Sequence, residues 1–126
     1  LPEFSALENV CIPSYIRGDS KKNAKIKAEK LLDFLQLKDR LKHMPSELSG
    51  GEQQRVAVAR ALINDPLVVL ADEPSGNLDS KSANLLHKLF IELRETFGHT
   101  YIIVTHNEKF AEMADRKITI IDGQIA

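Results

Sequence analysis

Nowhere in the 126 residues does Gly-x-x-x-x-Gly-Lys run into Ser or Thr, so the chain holds no loop whose backbone N–H groups and lysine could cradle phosphates. Its one cysteine, Cys11, excludes an internal disulfide. No pair of Cys and His residues has zinc-like spacing, and a reducing compartment, by default the cytosol, is expected. Neither sign of charge dominates. Seventeen basic residues against eighteen acidic ones leave a formal charge of −1, and no overall positive field favours nucleic acid or anionic lipid. Long apolar runs are missing as well: the longest, Leu67 to Ala71, has five residues, against about 20 for a membrane-spanning helix. No charged-then-apolar leader opens the chain, so any membrane link is expected to run through a partner. The opening Leu1-Pro2-Glu3-Phe4 reads as the interior of a domain, and we expect a fragment of a longer protein.

What is present suits a folded domain, since 43% of the residues are hydrophobic and the length is that of one ordinary domain. Ser5-Ala6-Leu7-Glu8 has the form of a capping box, which predicts a helix running toward Tyr15, disturbed by Pro13 and broken at Gly18-Asp19-Ser20. From Ser20 to about Leu37, Ala24, Ala28, Leu31, Leu32 and Leu35 recur at helical steps. The lysines on the other side of this helix (Lys21, Lys22, Lys25, Lys27, Lys30) read as a solvated face. A short helical piece over Asp39 to His43 should stop at Met44-Pro45, and Glu52 to Ile63 predicts a further helix ended by Asn64-Asp65-Pro66.

Beyond residue 65 the pattern changes. Leu67 to Ala71 is apolar at every position, as in a strand buried on both faces of a parallel sheet. A long helix is expected from Ser80 to Phe97, with Leu86, Leu89, Phe90, Leu93 and Phe97 as its buried stripe and Gly98 at its exit. Tyr101 to Val104 predicts another buried strand, Glu108 to Ala114 a short helix, and Ile118 to Ile121 a last strand turned at Asp122-Gly123. The expected fold class is α/β: a helical portion, then strands that are mainly parallel because helices connect them.

Asp72 and Glu73 fall just past the end of the first buried strand, where open α/β sheets bind ligands. An Asp there can hold magnesium, and its neighbour can orient or deprotonate a water; standing alone, the pair reads better as a solvated acidic turn. Ser49-Gly50-Gly51 precedes a helix, where glycines let backbone N–H groups approach a phosphate, although the same three residues also make an ordinary N-cap. His106 follows the second strand and can cap the next helix or serve a site. His43, His87 and His99 have no such context and read as surface or partly buried.

Taken together, Leu48 to Arg55, Arg60-Ala61-Leu62, the strand with Asp72-Glu73-Pro74 and Ser75-Gly76-Asn77-Leu78-Asp79 resemble the ATP-binding cassette family over nearly the whole chain. The resemblance implies a RecA-like (P-loop NTPase) fold built from a helical subdomain over residues 1–47, the signature motif and its helix over residues 48–66, and the C-terminal α/β part over residues 67–126. It further implies ATP and magnesium as ligands, Asp72 as the metal-holding carboxylate and Glu73 as the residue that polarises the hydrolytic water. His106 would contact the γ-phosphate. Ser49, Gly50, Gly51 and Glu52 would meet ATP held by a second ATPase subunit, with Asp79 at the same interface. The implied setting is a dimer at the inner, cytoplasmic face of the membrane, joined through the helical subdomain to an integral membrane permease.

The wording Pro74 to Asp79 and Phe4 to Val10 is similar to the subgroup that includes lipoprotein-releasing, macrolide-export and cell-division ATPases, with the lipoprotein-releasing type favoured. The family's adenine-stacking aromatic, phosphate-loop lysine and Q-loop glutamine would lie before Leu1. The 126 residues alone are therefore expected to be inactive, and their unpaired apolar strand edge is expected to drive self-association. Two other classes are a non-catalytic interaction module and a chromosome-maintenance or DNA-repair ATPase. The second is disfavoured by the lack of a long coiled coil before Ser49 and by the near-zero charge.

Overall fold

The computed structural model describes residues 1–126. Helix α1 (Ala6–Arg17) starts as the capping box requires: the Glu8 amide donates to Ser5 Oγ at 3.3 Å and the Ser5 amide to Glu8 Oε2 at 2.8 Å. Pro13 lies inside this helix without ending it, and Gly18, at φ 98°, closes it in the left-handed region. Helix α2 (Lys21–Phe34) is capped by Ser20 and ends three residues earlier than its apolar period suggests, because Gln36 takes φ 59° and turns the chain. Leu35 and Leu37 nevertheless remain buried. Two single 3-10 turns, Lys38–Arg40 and Pro45–Glu47, lead to α3 (Gly50–Leu62).

Strand β1 (Val68–Asp72) pairs in parallel with β2 (Thr100–Val104), Val68 opposite Thr100 and Asp72 opposite Val104. Between them runs α4 (Ser80–Phe97), capped by Asp79 and closed by Gly98 at φ 71°. After β2 come the one-turn helix α5 (Glu108–Ala111) and two short strands, β3 (Ile120–Ile121) and β4 (Gln124–Ile125). The last strand, expected over Ile118 to Ile121 and turned at Asp122-Gly123, is present as Ile120–Ile121 but does not join the parallel pair. Asp122 (φ 50°) and Gly123 (φ 77°) form a tight turn that pairs β3 with β4 as an antiparallel hairpin, separate from the parallel pair. Positive φ at both central residues is what such two-residue hairpin loops require.

The principal core lies among the helices. Val10, Cys11, Ala24, Ala28, Leu32, Val56 and Ala59 form it, and Val69 and Leu93 reach into it from the second half. Alanines at three of those positions let the helices approach closely. A smaller cluster of Leu86, Phe90 and Phe110 sits under α4, with Tyr101 and Ile103 packed against it. Burial of the Tyr101 phenol pushes its pKa up to about 12. The expected double-sided burial of β1 is not met: Val69 is buried, whereas Leu70 is 75% exposed. Phe97, expected in the buried stripe of α4, is 43% exposed.

Candidate functional site

Asp72 ends β1, and the chain turns sharply after it. Glu73 adopts φ 42°, a left-handed conformation that costs a non-glycine residue on the order of 1–3 kcal/mol. That turn directs the Glu73 side chain across the sheet end to the loop after β2. Its Oε1 accepts the His106 amide at 2.7 Å, and the Thr105 hydroxyl donates to Oε2 at 3.4 Å. The Glu73 amide in turn donates to the Val104 carbonyl at 2.9 Å, which continues the parallel ladder by one step. The His106 imidazole lies 3.6 Å from the same carboxylate and is 97% exposed, against 35% for the Glu73 side chain. Asn107, not His106, caps α5, through the Phe110 amide at 3.0 Å. The ring of His106 is therefore free for another contact.

Ser49 caps α3. Its hydroxyl accepts the Glu52 amide at 3.2 Å, while Glu52 Oε2 accepts the Ser49 amide at 2.9 Å. The hydrogen bond from the Ser49 backbone, aided by the Arg40 guanidinium, holds the Glu52 carboxyl below the usual range. Gly50 faces the loop between β1 and α4: a Cβ there would stand 3.2 Å from Leu78 Cδ2. A Cβ on Gly51 would meet the Ser82 side chain at ordinary contact distance. Asp79 accepts the Lys81 and Ser82 amides at 3.1 and 3.2 Å, and hydrogen bonding from Ser82 lowers its pKa.

These residues form two groups. Asp72, Glu73 and His106 converge at the C-terminal end of the parallel strands. Ser49, Gly50, Gly51 and Glu52 lie against Leu78 and the start of α4, beside Asp79. No hydrogen bond or ion pair joins one group's side chains to the other's. The bridge is Gln54, whose Nε2 donates to the Pro74 carbonyl at 2.7 Å. Gln54 belongs to the quoted motif, but its partner was not legible, because the contact crosses 20 residues of chain.

His87 requires a correction. It is neither surface nor partly buried but 4% exposed. Its Nε2 lies 2.8 Å from Ser75 Oγ, and burial lowers its pKa. His99 fits the expectation better, its mostly buried ring bound at 2.7 Å to Asp65.

No three His, Cys, Asp or Glu side chains converge to enclose a metal. Asp72 is an exposed carboxylate at a strand end. A single hard oxygen donor of that kind fits magnesium, which keeps several waters and takes its other ligands from substrate phosphates. It does not fit a zinc-type cage.

Parallel strands β1 and β2, joined through α4 and with Asp72-Glu73 at the end of β1, form part of an α/β sheet, and the match to a solved ATP-binding cassette places that fold in the P-loop NTPase class. The family model for ABC transporters matches residues 1–76, and the chain belongs to that family. The matched stretch includes Ser49 to Glu52 and Asp72-Glu73. The chain is 59% identical over 125 residues to the lipoprotein-releasing system ATP-binding protein LolD of Bacteroides fragilis (strain YCH46), covering 99% of this chain and 58% of that protein. It is 58% identical over 125 residues to the LolD protein of Cytophaga hutchinsonii, covering 99% of this chain and 57% of the relative. It thus spans somewhat over half the length of the curated relatives it matches. Among solved structures, the ATP-binding cassette MJ0796, a dimer in a post-hydrolysis state bound to ADP and Pi, superposes with a TM-score of 0.82 at 38% identity, over 99% of this chain and 56% of that one.

Proposed function

We propose that these residues are the signature and hydrolytic portion of an ATP-binding subunit that couples ATP hydrolysis to lipoprotein release. The observation that carries this reading is the Glu73 carboxylate at the strand end, fixed by the His106 amide yet open to solvent, in a chain 59% identical to a LolD protein. One carboxylate oxygen is held by the backbone, so the group keeps its direction while an attacking water reaches it. Glu73 would accept that water's proton, and the free ring of His106 would meet the terminal phosphate. Asp72 would take one position on magnesium, which when bound neutralises charge on the transferring phosphoryl group. Ser49, Gly50, Gly51 and Glu52, with Asp79, would face ATP held by a second subunit. The helical residues 1–47 would meet a membrane permease at the cytoplasmic face.

The 126 residues alone should show no saturable ATP binding, since they hold no phosphate loop. Joined to the N-terminal portion of the Bacteroides fragilis relative, they should hydrolyse ATP. Glu73→Gln in that chimera should lower turnover by about 10²-fold or more while ATP still binds. Turnover that survives the substitution would remove Glu73 from its role, and a folded chimera that neither binds nor hydrolyses ATP would favour a non-catalytic interaction module.

A further inference from the structure

Ser75 and His87 make the one side-chain hydrogen bond in the protein that is buried at both ends, 2.8 Å between Oγ and Nε2. Ser75 is 8% exposed and His87 4%. Phe110 stacks on the imidazole with ring centroids 3.7 Å apart and planes within 9°. A histidine is an expensive choice for the buried stripe of α4, where a leucine would pack without a polar group to satisfy. These two contacts give it a reason. Ser75 stands two residues after Glu73, and Phe110 four residues after His106. His87 therefore touches the loop that carries Glu73 and, at Phe110, the helix α5 that follows the His106 loop, the two segments joined by the Glu73–His106 hydrogen bond.

We propose that His87 is a positioning residue, a strut that sets the separation of the Glu73 loop and the His106 loop. The hydrogen bond to Ser75 fixes one loop and the stack on Phe110 fixes the helix that follows the other. The same loop is tied to α3 by Gln54 at Pro74 and turns on itself through the Gly76 amide, which donates to the Glu73 carbonyl at 3.0 Å. Displacement of residues 75–79 is then passed through a rigid ring to Phe110 and so to His106. The strut deepens the hydrolytic reading above and rests on it for its catalytic consequence, but its structural content stands independently.

The direct test is amide hydrogen exchange of the 126-residue chain. Ser75→Ala and His87→Phe should each speed exchange of the His106 amide by about tenfold while β2 amides keep their protection. His87→Phe retains an aromatic ring for the stack, which guards against simple loss of fold, and His87→Gln, with a nitrogen near the Nε2 position, should restore part of the protection. In the ATP-hydrolysing chimera each loss variant should lower kcat about tenfold with KM for ATP unchanged. The double variant should be no worse than either single one. Unchanged exchange at His106 in the folded variants overturns the strut, as does loosening confined to residues 73–79. Loss of protection at His106 together with full turnover in Glu73→Gln would keep the strut and bring down the hydrolytic reading instead.

Discussion

The helical half and the sheet half of this chain are built to different degrees of completeness. Thirteen of the fifteen residues of the principal core lie before residue 64, and there the helices cover one another. Of the seventeen large apolar side chains left exposed, twelve lie from Leu67 onward. Parallel strands are ordinarily covered on both faces and flanked by further strands, and β1 and β2 pair only with each other. The contrast teaches that apolar sequence reports what a segment needs to bury, while the partners on hand decide what it does bury. Leu32 and Leu70 have the same side chain, and one is fully buried while the other is 75% exposed.

That pair gives the largest expected effect. Leu32→Ala removes atoms from a packed core and should destabilise the chain by about 2–5 kcal/mol, whereas Leu70→Ala should stay within about 0.5 kcal/mol. Urea unfolding followed by circular dichroism compares them directly. Equal losses at a protein concentration low enough to keep the chain monomeric would break the comparison and mean that β1 is covered within the chain itself.

Acid should separate the halves next. Asp19, between α1 and α2, has its carboxyl pulled down to about 2 by the Lys27 ammonium and the Ser14 hydroxyl. Because the folded value is the lower one, its contribution is present above the ordinary carboxyl range and is lost as pH falls through about 2. His87 belongs to the sheet half, and burial lowers its pKa. The unfolded chain therefore takes up the proton first, near its ordinary pKa of about 6.5. Stability from a neutral His87 is full above that pH and falls as pH drops toward the depressed folded value. Exchange protection around α4 and α5 should weaken in mildly acidic buffer while the α1–α2 junction holds, and His87→Phe should abolish the mild-acid step.

Local chemistry was the legible part of this structure. Ser5 and Ser49 cap helices because short polar side chains satisfy free amides over three or four residues, and Gly18 and Gly98 close helices for an equally local reason; the Asp79 cap has the same local form but was read only as an interface residue. Asp72 and Glu73 were placed at a strand end because the apolar run stops at Ala71. The hairpin at Asp122-Gly123 had its signal too: an Asp-Gly pair between Ile120-Ile121 and Gln124-Ile125 demands two short strands. His87 also had a trace in sequence, since it stands on the same helical stripe as Phe90, four residues after Ala83. Its partner Ser75 and its stack on Phe110 were out of reach, because both contacts join segments far apart in the chain. The open apolar edge at Leu67 to Ala71 was expected from the sequence, but that Leu70 and Ile102 leave a whole sheet face exposed was not, since periodicity carries no information about what lies across a sheet.

The smallest effect on stability carries the sharpest statement about association. Leu67, Leu70, Ile102 and Val104 leave apolar surface open along the strand pair, and a second copy of this chain is the cover at hand when the 126 residues stand alone. We expect a dimer or larger assembly in light scattering at high concentration. Leu70→Lys with Ile102→Lys should shift it to monomer, because a charged side chain on an open strand resists pairing. Both side chains are more than half exposed, so unfolding free energy measured at low concentration should change by no more than about 0.5 kcal/mol. A monomeric unsubstituted chain would mean that the open face is tolerated in water, and the contrast between the halves would then be one of burial without consequence for assembly. Dispersal by the lysines with the core intact would instead locate the demand for a partner in the sheet half.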